Sequence, residues 1–238
     1  MENEFDVNAE QGYIITEERP GPAARGQNWI PFAHIISEKM KTRGKYAKGY
    51  PKGAIVHYTA GKQQAGVGDI NWGRAQGYCF LLIDSLGVIH QAHPLNEWGW
   101  HAGGSSYPGL IGTVSDDLIG IEISCAGICE EKLVHGVKRY KAWFHKSETE
   151  YFNADQVRFS PGKDNIKKGW YQKYTKAQEE ALTHLLLWMK SNETHDVFSF
   201  DFVLGHDETS PARKVDPGAS LSMTMPEYRK HLKALAST

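Results

Sequence analysis

The sequence predicts an α/β layered domain, and three observations carry that expectation. Runs rich in β-branched and aromatic residues at Ala54–Thr59, Gly77–Asp84, Val88–Ala92 and Leu118–Ser124 read as strands. Two amphipathic stretches opened by capping boxes, at Thr175 and Thr224, read as helices. Strands alternate with widely separated helices, the pattern of helices laid against a sheet.

Taken in order, the first fifty residues stand apart from the rest. Pro20-Gly21-Pro22 and Gly26 break the chain, and the partly apolar stretch Trp29–Met40 is expected to form one short helix within an N-terminal extension, 1–50. The main domain is expected over 51–238. Its first strand is Ala54–Thr59, and a glycine-containing turn, Ser85-Leu86-Gly87, joins the next two. Leu118–Ser124 is apolar enough to be central in a sheet. The polar, lysine-rich stretch 127–174 is too long for an ordinary loop and reads as an insertion whose fold the sequence leaves open. After it, Thr175 and Gln178 cap a long helix with Ala177, Ala181, Leu182, Leu185, Leu186 and Met189 on one face. Thr224 and Glu227 cap a last helix carrying Tyr228, Leu232 and Leu235.

Composition narrows the functional classes. The 238 residues hold 27 Lys and Arg against 28 Asp and Glu, a net charge of -1, so no global basic field favours nucleic acid. No stretch approaches about 18 consecutive apolar residues, so no membrane span is expected, and Met1–Glu10 lacks the pattern of a signal peptide. Synthesis in the cytoplasm without a signal peptide is the resulting expectation. Three cysteines, Cys79, Cys125 and Cys129, cannot all pair within one chain and read as reduced thiols.

Chemistry concentrates at a few positions. His57 within a strand means little alone, since most such histidines are simply packed and hydrogen-bonded. His206 ends an apolar run, and a Pro/Gly-rich loop returns ten residues later to Asp216, so an imidazole and a carboxylate can converge. Two histidines and one carboxylate form the ligand set of a catalytic zinc with a position open for water. Glu122 alternates with Ile121 and Ile123 and so faces away from them, a carboxylate among β-branched residues. His206-Asp207-Glu208 also fits half of a zinc-deaminase signature, but no cysteine pair follows Pro211 to complete it.

Five motifs occur in one order: His57-Tyr-Thr-Ala-Gly61, Gly77-Tyr-Cys-Phe80, Trp100-His-Ala-Gly103, Ile119-Gly-Ile-Glu-Ile123, and Gly205-His-Asp followed by Arg213-Lys-Val-Asp-Pro-Gly218. Over about 54–218 the chain resembles the zinc-dependent N-acetylmuramoyl-L-alanine amidases of the type 2 family, which share a fold with peptidoglycan recognition proteins and phage amidase-type lysozymes. The resemblance implies a central mixed sheet flanked by helices. It also implies Zn2+ held by His57, His206 and Asp216, Glu122 as catalytic acid–base, and Lys214 with Tyr78 as oxyanion stabilisers. Some relatives carry cysteine where Asp216 stands. Cys79 occupies a position where many relatives have histidine, and alternation with Tyr78 points its thiol into the core. Trp100 and His101 match a segment that forms a substrate wall, so both are candidate substrate-binding residues, while His90 and His93 read as structural.

The implied reaction is hydrolysis of the amide between N-acetylmuramic acid and L-alanine, in peptidoglycan or muropeptides. The implied sites of action are the cytoplasm, on muropeptides, or the cell wall, reached by a non-secretory route. A non-catalytic peptidoglycan-binding module is the alternative, disfavoured because such relatives usually lack ligand residues that are present here. Tyr46, Tyr50 and Trp98, with the insertion, are expected to elaborate the groove. Oligomeric state is left open.

Overall fold

The computed structural model describes residues 28–147 and 150–238; Met1–Glu10, Pro20-Gly21-Pro22 and Gly26 lie outside the described residues. In chain order the elements begin with β1 (His34–Ile35), β2 (Gly44–Lys45), β3 (Gly53–Tyr58), α1 (Gly68–Gln76), β4 (Leu81–Ile83), β5 (Ile89–Gln91) and β6 (Glu97–Trp98). Next come α2 (Val114–Asp117), β7 (Leu118–Ile123), β8 (Ile128–Val134), β9 (Val137–Lys141), β10 (Val157–Ser160) and β11 (Gly169–Gln172). The chain closes with α3 (Lys176–Asn192), β12 (Val203–Gly205), α4 (His206–Thr209) and α5 (Met225–Leu235).

Six strands form the main sheet in the order β1-β5-β4-β7-β3-β12. The four strands from β4 to β12 run parallel, β5 is antiparallel to β4, and β1 is parallel to β5. The sheet is therefore mixed. β7 lies between β4 and β3 with five of its six residues buried, which explains its almost wholly apolar sequence. One face of the sheet, with Val56, Tyr58, Leu81, Ile83, Ile119, Ile121 and Ile123, joins Leu182, Leu185, Leu186 and Met189 of α3 and Tyr228 and Leu232 of α5 in one core. Each such side chain stabilises the fold by roughly 1.5–3 kcal/mol relative to exposure. Both expected capping boxes form; the Thr175 hydroxyl accepts the Gln178 N–H at 3.1 Å and Gln178 Oε1 accepts the Thr175 N–H at 2.9 Å. Of the apolar residues that α5 carries, Tyr228 and Leu232 are buried and Leu235 is 38% exposed.

The helix expected within Trp29–Met40 is absent. Its apolar residues instead plug the sheet edge: the N–H groups of Ile30, Ile36 and Met40 bond to Gln91 Oε1, the Gln91 carbonyl and the Ala92 carbonyl. Backbone groups satisfied by the sheet have no need of a helix. Tyr46 and Tyr50 are about 5% exposed and belong to the core, so they do not elaborate a groove as expected. Helix α1 went unforeseen because only Ile70 and Gly73 are buried along it. Gly73 is required there, since a Cβ would lie 2.4 Å from the Phe80 ring. Cys79, Cys125 and Cys129 are buried and unpaired.

The stretch 127–174, expected as an insertion, is a small sheet of four antiparallel strands in the order β10-β11-β8-β9. Its β8–β9 hairpin turns through His135-Gly136, both at positive φ, as two-residue hairpins favour. Arg158 ties this sheet to the main domain by donating to the carbonyls of Ala219 and Ser220 at 2.9 and 3.3 Å. At its root, Gly127 (φ +70°) lies against Tyr58, where an added Cβ would come within 2.1 Å of the ring. Gly127→Ala is therefore expected to lower unfolding stability by about 1–3 kcal/mol, through overpacking and left-handed strain, as measured by urea denaturation.

Candidate active site

Strand register sets the site. His57 of β3 is paired with Glu122 of β7, while Gly205 of β12 is paired with Val56, so His206 follows β12 beside His57. The three side chains emerge at the carboxyl ends of parallel strands, the usual place for a site in an α/β sheet. Asp216 is brought back by the loop after α4, where the Asp207 N–H donates to the Asp216 carbonyl at 2.8 Å. That loop is anchored by Arg229, which grips Glu208 at 2.7 and 2.9 Å, while Glu208 also accepts the Gly205 N–H. Glu208 is thus spent on structure, away from deaminase chemistry.

His57 Nδ1 and His206 Nδ1 stand 2.9 and 3.0 Å from Asp216 Oδ2, with the two rings 4.5 Å apart and at 89°. All three residues are buried, and their ligand atoms lie within 4.8 Å of one another. The His206 Nε2–H donates to the Ala102 carbonyl at 2.9 Å, which leaves a lone pair on Nδ1 facing the carboxylate. A lone pair and a carboxylate oxygen converging away from water call for a cation between them, and two imidazoles with a carboxylate suit a divalent transition metal. Burial takes the His57 imidazole down to about 4, so the ring is neutral as a ligand must be.

Glu122 lines a groove of about 710 Å3 beside this cluster, and its Oε2 is buried without a hydrogen-bond partner. Burial, helped by the Asp216 charge and opposed by Lys214, lifts its carboxyl to about 8. Lys214 adjoins the ligand loop, its backbone N–H on the Ser210 carbonyl. Tyr78 is 41% exposed and rests on Trp72 at 5.8 Å, with no contact to the cluster. Trp100 packs edge-on to Trp98 at 5.2 Å and beneath Arg43, outside the groove lining. His101 does reach the cluster, but as a neighbour of His57 at 3.1 Å, with its other nitrogen on the Leu118 carbonyl at 2.9 Å. Neither ring nitrogen is free for substrate.

Sequence reasoning missed three contributors. Arg213 Nη2 donates to the Ala102 carbonyl at 3.0 Å and so braces the segment that holds His206. Trp72 of α1 and Trp143 of the insertion, 59% and 77% exposed, line the groove with Glu122. Trp143 is pinned by its Nε1–H donating to the Ala60 carbonyl at 2.6 Å. Their only sequence signal was being large aromatics in polar surroundings.

A family model described as N-acetylmuramoyl-L-alanine amidase matches residues 47–219. The chain belongs to that family. Among solved structures, AmpD, in a selenomethionine derivative, is similar over 86% of this chain and 96% of its own, at 19% identity and a TM-score of 0.53, which places this chain in the same fold. Two others have lower TM-scores. The Escherichia coli amidase AmiD, solved with anhydro-N-acetylmuramic acid-L-Ala-D-gamma-Glu-L-Lys, covers 72% of this chain and 55% of its own at 22% identity and a TM-score of 0.44. The Clostridium intestinale endolysin LysCS covers 89% and 99% at 14% identity and a TM-score of 0.47. No curated protein sequence matches the chain.

The raised Glu122 carboxyl has a stability consequence. Its folded value near 8 exceeds the ordinary 4.5, so the folded state resists ionisation, and stability falls as pH rises from about 4.5 through about 8. In chelator-treated protein, Glu122→Gln is expected to raise Tm over wild type by more at pH 8 than at pH 5, as read by thermal melts.

Proposed function

We propose that this family member hydrolyses the amide between the lactyl group of N-acetylmuramic acid and L-alanine, using zinc held by His57, His206 and Asp216. One observation carries the reading: a buried His-His-Asp cluster lies beside a carboxylate with an unpartnered oxygen on the wall of an open groove. Zinc, when bound, would supply Lewis acidity toward the scissile carbonyl and acidify a water. Glu122 takes the proton of the attacking water and returns it to the departing amine, a double role suited to a carboxyl lifted toward neutral pH. Lys214, whose charge acts on both His57 and Glu122, opposes the negative charge that develops on the carbonyl oxygen. Tyr78 shares in this only by leaving Trp72.

The groove supports a sugar–peptide substrate. Trp72, Phe80, Trp143 and Phe144 offer apolar faces, and Lys62, Asp69, Lys146 and Glu150 offer charge along the same cleft. A pyranose presents an apolar C–H face to such rings, and a stem peptide brings amides and carboxylates for the polar groups. No helix among the described residues is long and apolar enough to cross a membrane.

The test is mass spectrometry of purified sacculi and of soluble anhydro-muropeptide after incubation with the protein. Stem peptides are expected to leave intact glycan, to stop leaving after chelation, and to leave again once zinc is restored. Binding without release from either substrate would instead favour the non-catalytic module. Glu122→Gln is expected to cut kcat by about 10²–10⁴-fold while zinc content stays at the wild-type level. Trp143→Ala should raise KM severalfold with kcat nearly unchanged, because the ring contacts the bound chain and no reacting atom.

A further inference from the structure

A carbonyl oxygen can only accept, so the 2.9 Å contact between His101 Nε2 and the Leu118 carbonyl puts the proton of that neutral ring on Nε2. Nδ1 of His101 is then an acceptor. It faces His57 Nε2 at 3.1 Å, so the His57 proton sits on Nε2. The lone pair of His57 is thereby left on Nδ1, the nitrogen 2.9 Å from Asp216 Oδ2. On the opposite side, the Ala102 carbonyl does the same for His206 directly.

The surroundings are shaped for this relay. A Cβ on Gly120 would lie 2.6 Å from His101 Cγ, so the glycine in Ile119-Gly-Ile121 leaves the space the ring fills. The N–H groups of His101 and Ala102 both donate to the buried Ser115 hydroxyl, at 3.3 and 3.2 Å, which fixes the segment carrying both relay groups.

We infer that His101 is a positioning residue for the metal centre: it imposes the Nε2–H tautomer on His57 and so raises the affinity of the site for zinc, with no contact to substrate. The inference rests on the reading of His57, His206 and Asp216 as metal ligands. Outer partners of metal-bound histidines of this kind are worth about 10–100-fold in metal affinity.

The experiment uses the full chain, wild type alongside His101→Phe and His101→Gln, with two readouts that need no substrate. Zinc affinity is measured by competition with a chromophoric chelator, and imidazole tautomers by long-range ¹H–¹⁵N correlation on the zinc-free protein. Wild type is expected to show His57 protonated at Nε2. His101→Phe should bind zinc about 10–100-fold more weakly. His101→Gln should recover most of the loss, because its amide can accept from His57 and donate to the Leu118 carbonyl. Wild type with His57 protonated at Nδ1 overturns the relay, and this outcome is readable even where a variant fails to fold. Equal affinities in folded Phe and Gln variants overturn it as well. Failure of wild type to bind zinc at all would instead defeat the underlying metal reading.

Discussion

The side-by-side register of β12, β3 and β7 is the constraint on which the site depends. Because side chains alternate across a strand, one residue of slippage between β3 and β7 would turn Glu122 to the helical face and bring Ile121 or Ile123 to the groove. The apolar partition guards against that slip. Val56, Tyr58, Ile119, Ile121 and Ile123 share the core with α3 and α5, and a slip would strand them in the groove. The burial energy that holds α3 and α5 on the sheet therefore also fixes the positions of His57 and Glu122. Packing on one face sets the chemistry on the other.

Two loops complete what the sheet begins. The segment after β6 supplies the Ala102 carbonyl and His101, and the turn after β12 supplies Asp216. Arg213 joins them, reaching from the second loop to the Ala102 carbonyl of the first. This carbonyl serves His206 and Arg213 together, so a charged donor strengthens the polarity of the group that sets the His206 tautomer. Burial of Asp216 would be costly for an isolated carboxylate. The imidazole nitrogens beside its oxygen present lone pairs, so the offset would come from a bound cation shared by all three groups.

Much of this was legible in the sequence where chemistry is local. Thr175 and Thr224 announced their helices because a cap is written within four residues, and the alternation around Glu122 announced its face. Cys79 was readable as a core thiol and Tyr78 as its outward neighbour for the same reason. What was not legible depended on distant partners. Trp29–Met40 carries apolar residues at helix-like intervals, yet Gln91 and Ala92 capture its backbone as a sheet edge. Trp100 and His101 are adjacent in one motif but are sent to opposite tasks, one against Trp98 and Arg43, the other behind His57. The four-stranded insertion gave little signal, since its strands are half exposed and polar, with Leu133 and Val137 left at the surface.

That insertion explains why the groove has two walls. The main sheet provides a floor at Glu122, and α1 provides Trp72, but neither can reach across the cleft. The chain between β9 and β10 does so with Trp143 and Phe144. A wall built on a loop would ordinarily be free to swing, yet the Trp143 Nε1–H is held by the Ala60 carbonyl, and Ala60 lies two residues beyond the end of the strand that carries His57. Gly127 packed on Tyr58 and Arg158 on the Ala219 and Ser220 carbonyls fasten the same sheet to the ends of β3 and of the Asp216 loop. The wall is thus hung from the backbone segments that carry His57 and Asp216. Any shift of the insertion therefore pulls on those segments directly rather than through the distant core.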